Sequence, residues 1–174
     1  MNGLKAILFG AAGLFLVLTL MSLLITAKPR VARMVVINTA SKEKVMTQLT
    51  DLASWKNWHP VFAADSVTVN YGKITSGPGA SCDITYNGQT TQVFITAVDT
   101  ATVSVELKAS GENDISNKIV VTYIPSMNQV KADWIATTHL HWYPWEKFYA
   151  IFIDKLTGPG YEAALQGLKT YTEK

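Results

Sequence analysis

Residues Ala6 to Ala27 form one uncharged, mostly apolar run in which only Thr19, Ser22 and Thr26 are polar. As a helix rising 1.5 Å per residue, the run reaches about 33 Å, enough to cross a hydrocarbon core of about 30 Å. A helix satisfies its own backbone and can satisfy those three hydroxyls, so the run predicts a membrane span. The competing reading is a cleaved signal peptide, whose apolar region is normally about 7–15 residues long and is followed by small residues at the cleavage site. Here the run is longer, and Ile25 stands where a small residue is wanted if cleavage follows Ala27. A retained, single-pass N-terminal anchor is therefore the expectation, with Ala6–Ala27 as the contact to the membrane. Lys28, Arg30 and Arg33 follow the run, while only Lys5 and the α-amino group precede it. The positive-inside rule then puts the rest of the chain in the cytoplasm.

Residues 31–174 remain beyond a basic juxtamembrane segment ending near residue 30. About 140 residues is the usual size of one globular domain, which excludes two large ones. Five Trp, seven Tyr and six Phe exclude wholesale disorder. The net charge of +2 hides an asymmetry, because from Met34 onward 11 Lys face 13 Asp and Glu, and both Arg precede Met34. A stretch this acidic and free of Arg from Met34 onward is a poor nucleic-acid binder, so no such partner is expected. Cys82 stands alone, which excludes an intramolecular disulfide and a cysteine-based zinc cluster.

The pattern along the domain changes period twice. Val31 to Asn38 is β-branched and apolar enough for a first strand. Ser41 is placed to cap a helix with Glu43 in its first turn, and Val45, Met46, Leu49 and Leu52 recur at helical spacing. Asp51 to Trp58 continues as a short helix or turn that Pro60 ends. From Asp65 the period becomes two, with Val67, Val69 and Tyr71 on one face of a strand and Cys82, Ile84 and Tyr86 on one face of the next. Asn87-Gly88 marks a type I′ hairpin leading back along Gln89 to Val98. Val103, Val105 and Leu107 form a further strand, Gly111 to Asn117 a polar loop, and Lys118 to Ile124 with Val130 to Leu140 a second hairpin. Six consecutive strands on short turns make an antiparallel meander. The helical period then returns: Trp145, Phe148, Tyr149, Phe152, Ile153 and Leu156 make one apolar stripe that Leu165, Leu168 and Tyr171 extend. Gly158-Pro159-Gly160 is expected to kink or restart this helix.

The predicted fold is α+β, a curved antiparallel sheet of about seven strands wrapped round a long C-terminal helix. A cavity between sheet and helix is the default small-molecule site. Two stretches carry a resemblance. Asp51-Leu52-Ala53-Ser54-Trp55-Lys56-Asn57-Trp58-His59-Pro60 is one; Trp142-Tyr143-Pro144-Trp145-Glu146-Lys147-Phe148, leading into Gly158 to Glu162 and Leu165 to Tyr171, is the other. On these, and on the order of elements over Val31 to Lys174, the chain resembles the membrane-anchored subgroup of the START-like superfamily, in the polyketide cyclase/dehydrase and lipid transport branch (SRPBCC). The resemblance implies a helix-grip fold and a hydrophobic pocket. It implies no reaction, since the superfamily holds lipid carriers, hormone binders and cyclases.

Trp58, Val69, Tyr71, Ile84, Tyr86, Val105, Trp134, Tyr149 and Phe152 are the expected pocket lining, with Phe152 at its deepest part. Trp55, Trp142 and Trp145 are core or lid residues on the same reading. No catalytic residue, cofactor or metal is expected. His139 and His141 lie on the polar parity of their strand, Asp83, Asp99, Asp133 and Asp154 make no coupled pair, Cys82 shares an apolar face with Ile84, and His59 beside Pro60 reads as a turn residue. The expected function is binding of a hydrophobic small molecule or lipid beside the membrane. A cyclase or dehydratase using one polar residue as proton shuttle, and an interaction protein with a vestigial cavity, are the alternatives.

Overall fold

The computed structural model describes residues 2–39 and 41–174. Its first helix, α1 (Asn2–Ser22), contains the one stretch among the described residues, Gly3–Ser22, that is long and apolar enough to cross a membrane. The helix ends well before Ala27, which corrects the expected span. The N–H groups of Leu23, Leu24 and Ile25 reach carbonyls three residues back at 3.2, 3.1 and 3.1 Å, so the helix tightens and stops. Further on the backbone is already committed to the sheet. Leu140 N–H donates to the Ala27 carbonyl at 3.0 Å, and Thr138 N–H to that of Pro29 at 3.1 Å.

Seven strands follow: β1 (Arg30–Ile37), β2 (Thr68–Tyr71), β3 (Ser81–Tyr86), β4 (Gln89–Val98), β5 (Thr102–Ala109), β6 (Ile115–Ile124) and β7 (Gln129–Thr138). They form one antiparallel sheet in the order β1-β7-β6-β5-β4-β3-β2, so the meander from β2 to β7 is closed by β1 on its far side. Asn87 and Gly88 take φ of 49° and 78°, the paired positive values that the β3–β4 turn requires. A bulge between Ile95 and Ala97 bends β4. The start of β6 departs from expectation: residues 115–117 are strand, not loop. Their alternation places Asn117 on the buried face with Ile119 and Val121.

Between β1 and β2 lie α2 (Lys42–Thr50), a 3₁₀ turn over Leu52–Asn57, and α3 (Pro60–Ala63). Ser41 caps α2, its side chain accepting from Lys44 N–H at 3.1 Å. Pro60 begins α3 and does not end the preceding turn, because a proline at the first helical position loses no internal hydrogen bond.

The C-terminal stripe folds as two helices, α4 (Pro144–Ala150) and α5 (Ile153–Thr172). The break falls at Ile151–Phe152, where N–H groups bond carbonyls three residues back at 3.3 and 2.9 Å. The expected interruption at Gly158-Pro159-Gly160 is absent, and α5 continues through Pro159. Ala164, Leu165, Leu168 and Thr172 form the buried face of α5, against Ile37, Leu49, Leu52 and Val121 among others. At its end, Lys44 Nζ donates to the Thr172 carbonyl at 2.6 Å, a cation where the helix dipole is negative.

Candidate functional site

The 3₁₀ turn and α3 place aromatic rings over the concave face of the sheet. Trp55 is buried, its Nε1–H donating to the Leu49 carbonyl at 3.2 Å. Its ring stacks on the imidazole of His59 at 5.4 Å and meets Phe62 and Trp134 edge-on at 5.1 and 6.1 Å. Trp134 in turn lies 5.5 Å from Tyr161 of α5.

These rings close one side of a cavity of about 220 Å³ between sheet, α3 and α5. Each strand from β3 to β7 contributes one side chain to it: Ile84, Val93, Leu107, Asn117 and Trp134. From α5 come Thr157, Gly160 and Tyr161, whose spacing puts them on one face. Val61, Ile84 and Leu107 also line an adjoining groove of about 470 Å³ that runs past Val67, Tyr86 and Gln89. Alone the cavity falls below the roughly 300–1,000 Å³ of ordinary ligand pockets; with the groove it has room for an elongated molecule.

The polar groups in this apolar wall are few. Asn117 is 3% exposed. Its Oδ1 accepts from Trp134 Nε1–H at 2.9 Å. An indole nitrogen only donates, so this contact fixes the amide orientation and leaves Nδ2 without a partner among the described residues. Burial pushes the Tyr161 phenol up, which keeps it neutral and able to donate. His59 Nδ1 accepts from Val61 N–H at 3.3 Å, capping α3, so the neutral ring carries its proton on Nε2. Desolvation brings its pKa down to about 4. Each of these groups therefore has a donor to offer at neutral pH.

Of the expected lining, Ile84 and Trp134 border the cavity, and Tyr86 borders the groove. Trp58 and Val105 are buried in the core away from the cavity, and Val69 packs half-buried at its edge. Three placements need correction. Tyr71 is exposed at the end of the short outer strand β2. Tyr149 and Phe152 face away from the sheet, Phe152 at 57% exposure, because the turn at Ile151–Phe152 carries Ala150 and Ile153 inward. His59, Asn117, Thr157 and Tyr161 are polar cavity residues outside the expected lining. Proline after His59 marked it as a cap, and the spacing from Ile119 placed Asn117 on the inner face.

The remaining titratable candidates lie elsewhere. His139 Nε2 is 2.9 Å from Ser116 Oγ, and Glu146 accepts the His141 N–H at 2.8 Å. Among the described residues no group of three His, Cys, Asp or Glu is placed to hold a metal ion. Cys82 is buried, and burial with the neighbouring Asp83 charge pushes its thiol up to about 12, so it packs as a small apolar group.

A seven-stranded antiparallel sheet closed over a C-terminal helix, with a cavity between them, defines a helix-grip fold. No family model matches the chain, and no curated protein does. Solved structures do match in fold. A Chromobacterium violaceum protein is 11% identical, with a TM-score of 0.60, over 84% of this chain and 99% of that one. One from Nitrosospira multiformis is 12% identical, with a TM-score of 0.61, over 82% and 94%. A hypothetical protein from Helicobacter pylori is 14% identical, with a TM-score of 0.60, over 82% and 87%.

Proposed function

We propose that this chain is a membrane-anchored member of the START-like superfamily, in its SRPBCC branch, and that it holds a hydrophobic small molecule or lipid in the cavity without transforming it. The observation that carries the reading is a mostly apolar wall in which Asn117, one of its few polar residues, keeps Nδ2 without a partner among the described residues. A buried donor without a partner costs about 1–3 kcal/mol, which a ligand acceptor restores. The ligand is accordingly an apolar chain or ring carrying a carbonyl, carboxylate or hydroxyl oxygen. Its apolar part fills the space among Trp55, Phe62, Ile84 and Val93, and its tail runs into the groove. α1 is the retained anchor, with the basic residues after it on the cytoplasmic side.

The cyclase or dehydratase reading needs a base in the cavity, and His59 is the lining residue suited to that role. With a pKa near 4, that imidazole is a weak base at neutral pH, and general-base catalysis works best with a pKa near the operating pH. No carboxylate lines the cavity to raise it. Binding is therefore preferred.

The test is to purify the full-length chain from membranes in mild detergent and identify co-purifying compounds by mass spectrometry. A near-stoichiometric apolar compound with an oxygen acceptor is expected, and adding it should raise the melting temperature of stripped protein. An empty extract, with no stabilisation by fatty acids, sterols or polycyclic ketones, overturns the proposal. A reporter fused after Lys174 tests the topology; activity only outside the cytoplasm overturns that part.

A further inference from the structure

The apolar stripe of α4 and the start of α5 faces outward. Trp142, Trp145, Tyr149, Ile151, Phe152 and Leu156 are 50–67% exposed. A soluble surface rarely carries so many large apolar side chains together, and such a patch marks an interaction site. Its surroundings say what covers it. α4 packs against α1, and the turn leaving α1 exposes Leu23 and Leu24, so the apolar surface runs from the spanning helix to the stripe. The composition fits a membrane interface, where Trp and Tyr bury a ring and keep a polar edge wet. Lys28 and Arg30 are exposed close by, suited to phosphate headgroups. The local carboxylates are already engaged: Asp154 pairs with Arg33 at 2.9 Å, and Glu146 accepts the His141 N–H at 2.8 Å.

We propose that this stripe lies in the headgroup–acyl boundary of the bilayer that α1 crosses, so that the domain is seated on the membrane and not suspended above it. This rests on α1 being a retained span. The sheet topology adds a consequence. Antiparallel pairing brings the start of β1 and the end of β7 to the same rim as the end of β3, the start of β4 and the end of β5. The groove passes Tyr86, Gln89 and Leu107 at that rim. A domain seated by α4 therefore opens its cavity on the membrane side, and a lipid-derived ligand reaches it without crossing bulk water.

The experiment uses the full-length chain in phosphatidylcholine–phosphatidylglycerol vesicles that contain lipids brominated either near the headgroup or at the chain ends. Shallow bromines should quench tryptophan emission of the native protein more than deep ones, and Trp142→Phe/Trp145→Phe should lose that quenching several-fold. As a second variant, Ile151→Cys carries an environment-sensitive dye selectively, because Cys82 is buried; its emission should shift to the blue in vesicles. Quenching that is absent from the native chain, or equal in the double variant, overturns the proposal, as does a dye that still reports water. A second copy of the chain, or another protein, on the patch would give that pattern together with cross-links through Ile151→Cys. A chain that washes out of the vesicles at alkaline pH refutes the anchor itself, a distinct result that removes this proposal with it.

Discussion

A β-carbon built on Gly167 would land on the backbone carbonyl oxygen of Trp58, so α5 crosses the end of the 3₁₀ turn at a distance only glycine permits. This contact limits how closely α5 and the end of that turn can pack. Backbone cannot rotate away as a side chain can.

Gly167→Ala should therefore destabilise the domain by about 1–3 kcal/mol or more, as overpacking does, despite the gain of about 1 kcal/mol in helix propensity. Gly160→Ala is the internal control, since its β-carbon meets nothing within 4 Å and should leave stability unchanged or improved. Urea titration followed by tryptophan emission separates the two.

Phe62→Ala and Phe152→Ala should diverge in the same assay. Phe62 is 7% exposed and packs edge-on against Trp55 and His59, so truncation should cost about 3–5 kcal/mol. Phe152 is on the outer surface, and its truncation in detergent should stay within about 0.5 kcal/mol.

The contrast shows what the sequence carried. Asn87-Gly88, the Ser41 cap and the alternation of Cys82 with Ile84 encode local geometry, and they located strands, turn and helix correctly. The period of 3.6 likewise grouped Trp145, Tyr149 and Phe152 on one face. It does not encode which phase that face meets, and an apolar stripe fits a sheet or a bilayer equally. Asn117 ends the polar run from Gly111 that reads as a loop, although its parity with Ile119 fits the strand. The strand wins because β5 and β7 flank that segment and satisfy its backbone.

Acid should weaken the fold through His59. Its pKa falls from the ordinary 6.5 to about 4 in the folded chain, because burial disfavours the charged ring. Between those values the unfolded chain binds the proton and the folded one does not, so stability rises with pH. The contribution is fully present above about pH 6.5 and is lost as pH falls toward 4. His59→Phe should flatten that part of the profile. A native profile with no slope over this window would show that the imidazole is solvated.

Asn117→Leu tests the ligand's polar end separately from its apolar body. The substitution keeps approximate size but removes both amide functions, leaving Trp134 Nε1–H without its acceptor. That orphan should cost about 1–3 kcal/mol of stability, which a urea titration reads directly. Binding should respond differently for two ligands of equal length. A fatty acid or long-chain alcohol presents an oxygen to Nδ2 and should lose about tenfold in affinity, the effect of roughly 1.4 kcal/mol. The corresponding hydrocarbon makes no such bond and should bind the variant as well as the native chain or better, since the apolar wall is then continuous. Calorimetric titration of both ligands against both proteins gives the four affinities. Equal losses for acid and hydrocarbon would mean that Asn117 only holds Trp134 in place, and that the ligand's oxygen points into the groove.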